Sequence, residues 1–215
     1  MSYSEFKLNA VFQTFGLTLN EKSGLFADIP EESPSELLTT ILLENVDLAV
    51  AINSEKARSE MIITPILLEV RRKFKNQISL FSGIDFTVDT DRGLNGFCDF
   101  ILSLSKEQLF IRAPVMTLVE TKNENLKSGL AQCIAEMVAA QLFNEQQGNS
   151  IQTIYGCVTI GTNWQFFKLE DKFISMDLSE YYIKDIPKIL GIFCAAIREN
   201  QIEKIRDKSK KRSKI

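Results

Sequence analysis

The order in which apolar spacing changes along the chain constrains the fold most. Gly96 to Leu104 (GFCDFILSL) and Pro114 to Glu120 (PVMTLVE) are strand-length apolar runs. Leu126 to Glu145 has the length and spacing of an amphipathic helix, and Ile151 to Ile160 (IQTIYGCVTI) returns to a strand. A helix between two strands of one sheet makes a parallel crossover, whereas strands joined by short turns run antiparallel. Upstream, Ile84 to Val88 reads as a further strand and 89–96 (DTDRGLNG) as a turn. A helix over Ser54 to Phe74 precedes them, with Ile62, Ile63, Ile66, Leu67, Val70 and Phe74 as its buried stripe and a kink at Pro65. The sum is α-β-β-β-α-β, a mixed α/β (α+β) chain whose mixed sheet is flanked by helices.

The ends are less patterned. Residues 4–15 lack a decisive period and stop at Gly16; the segment 28–34 (DIPEESP) reads as a linker into a helix over about 35–47. Trp164 to Leu169 and Lys172 to Met176 look like a terminal hairpin of packed aromatics, and Ile186 to Ile205 a last helix. The expected division is an N-terminal extension with a helix (1–53), a core (54–177), a C-terminal helix (178–203) and a basic tail (204–215), all in a single compact domain.

Across 215 residues there is no histidine, which removes Ser-His-Asp and Cys-His pairs, His-ligated zinc and a His general base. Cys98, Cys133, Cys157 and Cys194 form no CxxC pair and lie in apolar surroundings, which reads as buried thiols in a reducing, cytoplasmic compartment. The first ten residues lack a signal-peptide pattern, and the apolar window Leu37 to Ile52 carries Glu44 and Asp47, so no membrane role is expected. Net charge is −3, but 204–215 carry a local +6 that leaves −9 on the rest. A basic tail on an acidic body is either a solvated extension or a contact for a polyanion.

Chemistry is signalled by charges standing where apolar residues belong. Asp99 interrupts Phe97-Cys98-Asp99-Phe100-Ile101-Leu102; alternation puts Phe97 and Ile101 on its face and Cys98, Phe100 and Leu102 on the other. An ionised carboxylate buried there costs several kcal/mol unless a cation or good donors meet it. The next strand closes on Val119-Glu120-Thr121-Lys122, where Glu120 and Lys122 project from one face at ~6.5 Å spacing. Two carboxylates beside a lysine offer hard oxygen ligands of the kind Mg²⁺ or Mn²⁺ takes. The same residues could instead make a structural ion pair between Asp99 and Lys122, with Glu120 solvated. E-x-K alone carries little, since Glu5-Phe6-Lys7 and Glu170-Asp171-Lys172 match it as well.

Asp99 followed by Glu120-Thr121-Lys122 within α-β-β-β-α-β resembles the PD-(D/E)xK phosphodiesterase superfamily, with its restriction-endonuclease-like core. The nearest likeness is to the N-terminal nuclease domain of type I restriction enzyme motor subunits. It covers about residues 54–165, including the helix Glu55-Lys-Ala-Arg58-Ser-Glu60-Met-Ile-Ile-Thr-Pro65 and a glutamine helix after the ExK. The resemblance implies that Asp99, Glu120 and the Thr121 carbonyl hold the divalent ion. It further implies that Lys122 orients or deprotonates the attacking water, that Glu55 or Glu60 stands beside the metal, and that Gln132 helps to position nucleic acid. The family's tyrosine four residues after that glutamine is replaced by Glu136.

Arg58 reads as a helix-surface charge, Gln132 as either a site residue or a surface position, and Trp164, Phe166 and Phe167 as packing. The implied activity is a metal-dependent DNA nuclease. The alternative is a non-catalytic or partner-dependent binding module on the same fold, possible as a homodimer or with a partner subunit. No phosphate loop accompanies the motif, so translocation is not expected of this chain alone.

Overall fold

The computed structural model describes residues 1–149 and 151–212. Its helices are α1 (Leu8–Phe15), α2 (Glu36–Ile52), α3 (Glu55–Arg58), α4 (Thr64–Lys73), α5 (Leu130–Gln146) and α6 (Ile186–Arg212). Its strands are β1 (Thr18–Lys22), β2 (Ser79–Asp85), β3 (Phe97–Ser103), β4 (Val115–Thr121), β5 (Thr153–Thr159), β6 (Asn163–Glu170), β7 (Phe173–Asp177) and β8 (Tyr181–Tyr182). One mixed sheet runs in the order β1-β7-β6-β5-β4-β3-β2, with β8 beside β6. β4 and β5 are parallel, joined through α5, and β2, β3 and β4 form an antiparallel meander.

Every residue of β4 and β5 is buried, because helices cover both faces at the sheet centre. α5 and α1 close one core, which contains Phe15, Cys133, Ile134 and Met137. α2, α4 and α6 close the other, where Leu38, Leu67 and Phe193 meet Phe100 and Phe166. α5 approaches β5 so closely that a Cβ on Gly156 would stand 2.3 Å from Met137 Sδ. All four cysteines are buried free thiols, and Trp164, Phe166 and Phe167 are core residues. Among the described residues no helix is long and apolar enough to cross a membrane.

Several expectations need correction. The strand placed at Ile84 to Val88 is β2 at Ser79–Asp85; Gly83, in the left-handed region at φ 59°, bends the chain, and 86–88 continue as an irregular arm bonded to Leu94 and Gly96. The helix over 54–74 is three pieces: a π-helical turn over Ser59–Ile63 separates α3 from α4. Pro65 cannot donate, and its ring excludes the carbonyl four residues back; the wider turn just before it takes up the extra residue. The helix expected over 35–47 runs on to Ile52, where Asn53 ends it in the left-handed region. α5 is not amphipathic but buried on most sides, because α1 and the N-terminal turn cover the flank that would otherwise face water. The hairpin β6–β7 is not terminal in the sheet, since β1 adds in parallel beyond β7. α6 extends past Ile205 into the basic segment; Ser213, Lys214 and Ile215 of that tail lie outside the described residues.

Candidate metal and phosphodiester site

β3 and β4 part at Asp99. Their last paired residues are Phe100 and Val119, and β2 skips Gly83 opposite Asp99. Cys98 and Ile101 join the core under α5, whereas Phe100 and Leu102 join the opposite one, so strict alternation fails here and Cys98 does not share a face with Phe100. Phe97, expected in a strand buried on both sides, is 67% exposed: it pairs with Asp85 of the edge strand β2, and β4 no longer runs beside it. The freed Asp99 carboxylate turns to the end of β4, where Oδ2 accepts from the Thr121 N–H (2.8 Å) and the Thr121 hydroxyl (2.6 Å). Thr121 thus clamps one oxygen of Asp99 and leaves the other for the cleft.

Glu120 and Lys122 share one face of β4, because the Lys122 N–H donates to the Thr159 carbonyl (2.9 Å) and keeps the chain extended past the strand end. The ammonium donates to Glu120 Oε1, while the Gln132 amide donates to Glu120 Oε2 (2.9 Å) and to Glu136 Oε1 (3.1 Å). Glu120 is only 1% exposed, and the Lys122 side chain 21%. α5 can start this close because of Gly129: a Cβ there would fall 2.8 Å from Val158 and 3.2 Å from both the Glu120 and the Lys122 stems.

The first core helix brings Glu55. Ser54 caps α3 by accepting from the Ala57 N–H (3.1 Å), and Arg58 donates to the Ile160 carbonyl (3.0 Å) and to Asn53 Oδ1 (3.1 Å). Arg58 is therefore a buried strut tying the α2–α3 corner to the β5–β6 turn, not a surface charge. Glu55, Glu60, Ser82, Asp99 and Thr121 are among the walls of a polar cleft of about 230 Å³. Both helix glutamates line this cleft: the charge of Glu55 interacts with Asp99 and Lys122, while Glu60 pairs with Lys56 (3.0 Å).

Electrostatics follow from the Lys122–Glu120 pair and the charges of Asp99 and Glu55 acting on it. Burial, then the Asp99 charge, pushes the Glu120 carboxyl up to about 8 against the pull of Lys122, with Glu55 adding to the rise. Burial alone would lower Lys122, but Glu120, Glu55 and Asp99 outweigh it and hold the ammonium above its ordinary range. The two directions fit one picture, in which Lys122 stays charged while the crowd of carboxylates shares too few countercharges. Glu136, fully buried beneath Glu120, is raised well above the usual carboxylate range by burial and then by Glu120.

Asp99 and Glu120 carry hard oxygen donors, though both oxygens of Glu120 are already engaged. Among the described residues no three Asp, Glu or Cys side chains are gathered into a cage that could hold a metal ion. Mg²⁺ does not require one, since it keeps several waters and takes one or two carboxylates with substrate oxygens. Sequence reasoning brought Asp99, Glu120, Thr121, Lys122, Glu55 and Gln132 to this place; it missed Arg58 as a strut, Gly129 as the seat of α5 and Glu136 as a partner of Gln132. The glycine directly before the glutamine helix was the available sign. No family model and no curated protein matches the chain.

Proposed function

We propose that the chain is a divalent-metal-dependent phosphodiesterase acting on nucleic acid, DNA first, with the restriction-endonuclease-like core and the PD-(D/E)xK arrangement. The observation that supports this reading is that Asp99 of β3 is bonded to Thr121, between the paired Glu120 and Lys122 at the end of β4, and that Asp99 and Thr121 line a cleft with Glu55. In it, Asp99, Glu120 and the Thr121 carbonyl hold Mg²⁺ or Mn²⁺. The bound ion supplies Lewis acidity and a water of lowered pKa for in-line attack. Lys122, held as an ammonium by its carboxylate neighbours, acts as donor to the phosphate oxygens rather than as a base. Thr121 fixes Asp99, and Gln132 fixes Glu120.

Purified chain incubated with single- and double-stranded DNA should cleave it in Mg²⁺ or Mn²⁺, stop in EDTA, and lose at least ~100-fold activity in Lys122→Ala. Cleavage persisting in EDTA or in that variant defeats the proposal.

One observation favours a second reading, a binding module on the same fold that is non-catalytic or needs a partner. Glu120 has both oxygens engaged by Lys122 and Gln132 and almost no exposed surface. If that pair is permanent, Mn²⁺ gives no thermal stabilisation; an ion-binding site does.

A further inference from the structure

Gln132 has two amide hydrogens and spends both on carboxylates, one on Glu120 Oε2 (2.9 Å) and one on Glu136 Oε1 (3.1 Å). Glu136 lies one helical turn farther along α5, has no exposed surface, and its Oε2 has no hydrogen-bond partner among the described residues. Its surroundings include the Cys98 and Cys133 thiols and the Tyr3 phenol; the cation that acts on it is Lys122, which is bonded to Glu120. An orphaned buried oxygen is destabilising, so Glu136 is a poor choice for packing a helix on a sheet. What it does is decide the orientation of an amide. A lone glutamine can turn either end toward a neighbour; here Glu120 Oε2 and Glu136 Oε1 both accept from its NH₂ end.

We propose that Glu136 is a positioning residue for Glu120, acting through Gln132: it fixes the amide so that Glu120 Oε2 is held and Oε1 is presented at Lys122. This rests on the reading of Glu120 as a metal ligand given above, but its first readout does not. Two variants of the full chain separate acceptor from volume. Glu136→Gln keeps a carbonyl acceptor, and Glu136→Met keeps the length without one.

In the metal-free protein, the Gln132 side-chain amide protons, followed by NMR, should exchange slowly with water in wild type and Glu136→Gln. In Glu136→Met they should exchange about tenfold faster or more. Calorimetry with Mn²⁺ should then give about tenfold weaker binding in Glu136→Met and a change within about threefold in Glu136→Gln, as expected for a residue supporting a ligand. The urea midpoint of Glu136→Met should stay level or rise, which loss of a merely structural residue does not produce. Equal amide protection in wild type and Glu136→Met, or loss of protection in Glu136→Gln, overturns the proposal, and the second arm decides it should Glu136→Met fail to fold. If wild type takes up no Mn²⁺ while the difference in amide exchange stands, the metal-ligand reading of Glu120 fails and the positioning of Gln132 survives.

Discussion

Glu120 and Lys122 show how a buried pair can be both stabilising and pH-sensitive. The carboxylate is nearly inaccessible and the ammonium partly wet, so removing the cation strands the carboxylate, not the reverse. Glu120 has an escape, since its carboxyl already sits at about 8 and neutralises readily. Lys122→Met keeps the apolar stem and removes the charge. Below pH 8 Glu120 answers by holding a proton; above it the variant must either bury a bare carboxylate or bind a proton against the solution. The loss of stability should therefore be a few tenths of a kcal/mol near pH 6 and about 2 kcal/mol near pH 9, read from urea unfolding at the two pH values. Equal losses would mean that Glu120 is ionised throughout.

Elements are joined here by single residues that no periodicity reveals. Ser35 caps α2 by accepting from the Leu38 N–H (3.2 Å), and Glu69 of α4 in turn accepts from the Ser35 N–H (3.0 Å), the Ser35 hydroxyl (2.9 Å) and Arg72 (2.8 Å). Burial alone would raise the Glu69 carboxyl; Arg72 and the two Ser35 donors outweigh it and hold it below the ordinary range. A lowered folded value means stability present at neutral pH and lost as pH falls through that value. Glu69→Ala should cost about 2–3 kcal/mol at pH 7 and markedly less near pH 3 in urea titrations; a pH-independent loss would assign it to packing alone. At the other join, a Cβ on Gly191 of α6 would meet the Pro30 carbonyl at 2.2 Å, a backbone atom that cannot swing away. Gly191→Ala should lower the thermal midpoint by several degrees, corresponding to about 2 kcal/mol, whereas an unchanged midpoint would show that the 28–34 segment gives way freely. The helix start at Ser35 was legible because capping is local chemistry. The contacts to Glu69 and Pro30 were not, because they join residues far apart along the chain. β1 was illegible for a related reason: TLNEK is polar and exposed on both sides, and only pairing with β7 makes it a strand.

At the scale of the molecule, the strand-helix-strand order could be read because β4 and β5 are buried on both faces and stay apolar without alternation. Asp99 inside β3 and Glu120 near the end of β4 stood out against apolar strands, while the burial of Glu136 and its bond to Gln132 depend on surroundings that sequence cannot supply. The same concentration of buried acid sets the pH response of the whole fold. Glu55, Glu120 and Glu136 are all raised, each first by burial and then through neighbours in one cluster. The folded chain thus holds protons that the unfolded chain has released, so stability in EDTA should be fully present below about pH 4 as far as these groups go and should fall as pH rises through 8. On the proposed function, a divalent cation at Asp99 and Glu120 would compete for the same oxygens, replace protons, and bind more tightly as pH rises. Mn²⁺ at about 100 times its dissociation constant adds ~2.7 kcal/mol, or roughly 5–10 °C in a chain of this size. Thermal scans near pH 6 and near pH 8.5 should therefore show a midpoint that declines with pH in EDTA and a gap to the Mn²⁺ curve that widens with pH. Calorimetry should find protons released on binding, seen as a dependence of the heat on buffer ionisation. Superimposed EDTA and Mn²⁺ curves at both pH values would leave the cluster as a buried polar network with no cation to receive.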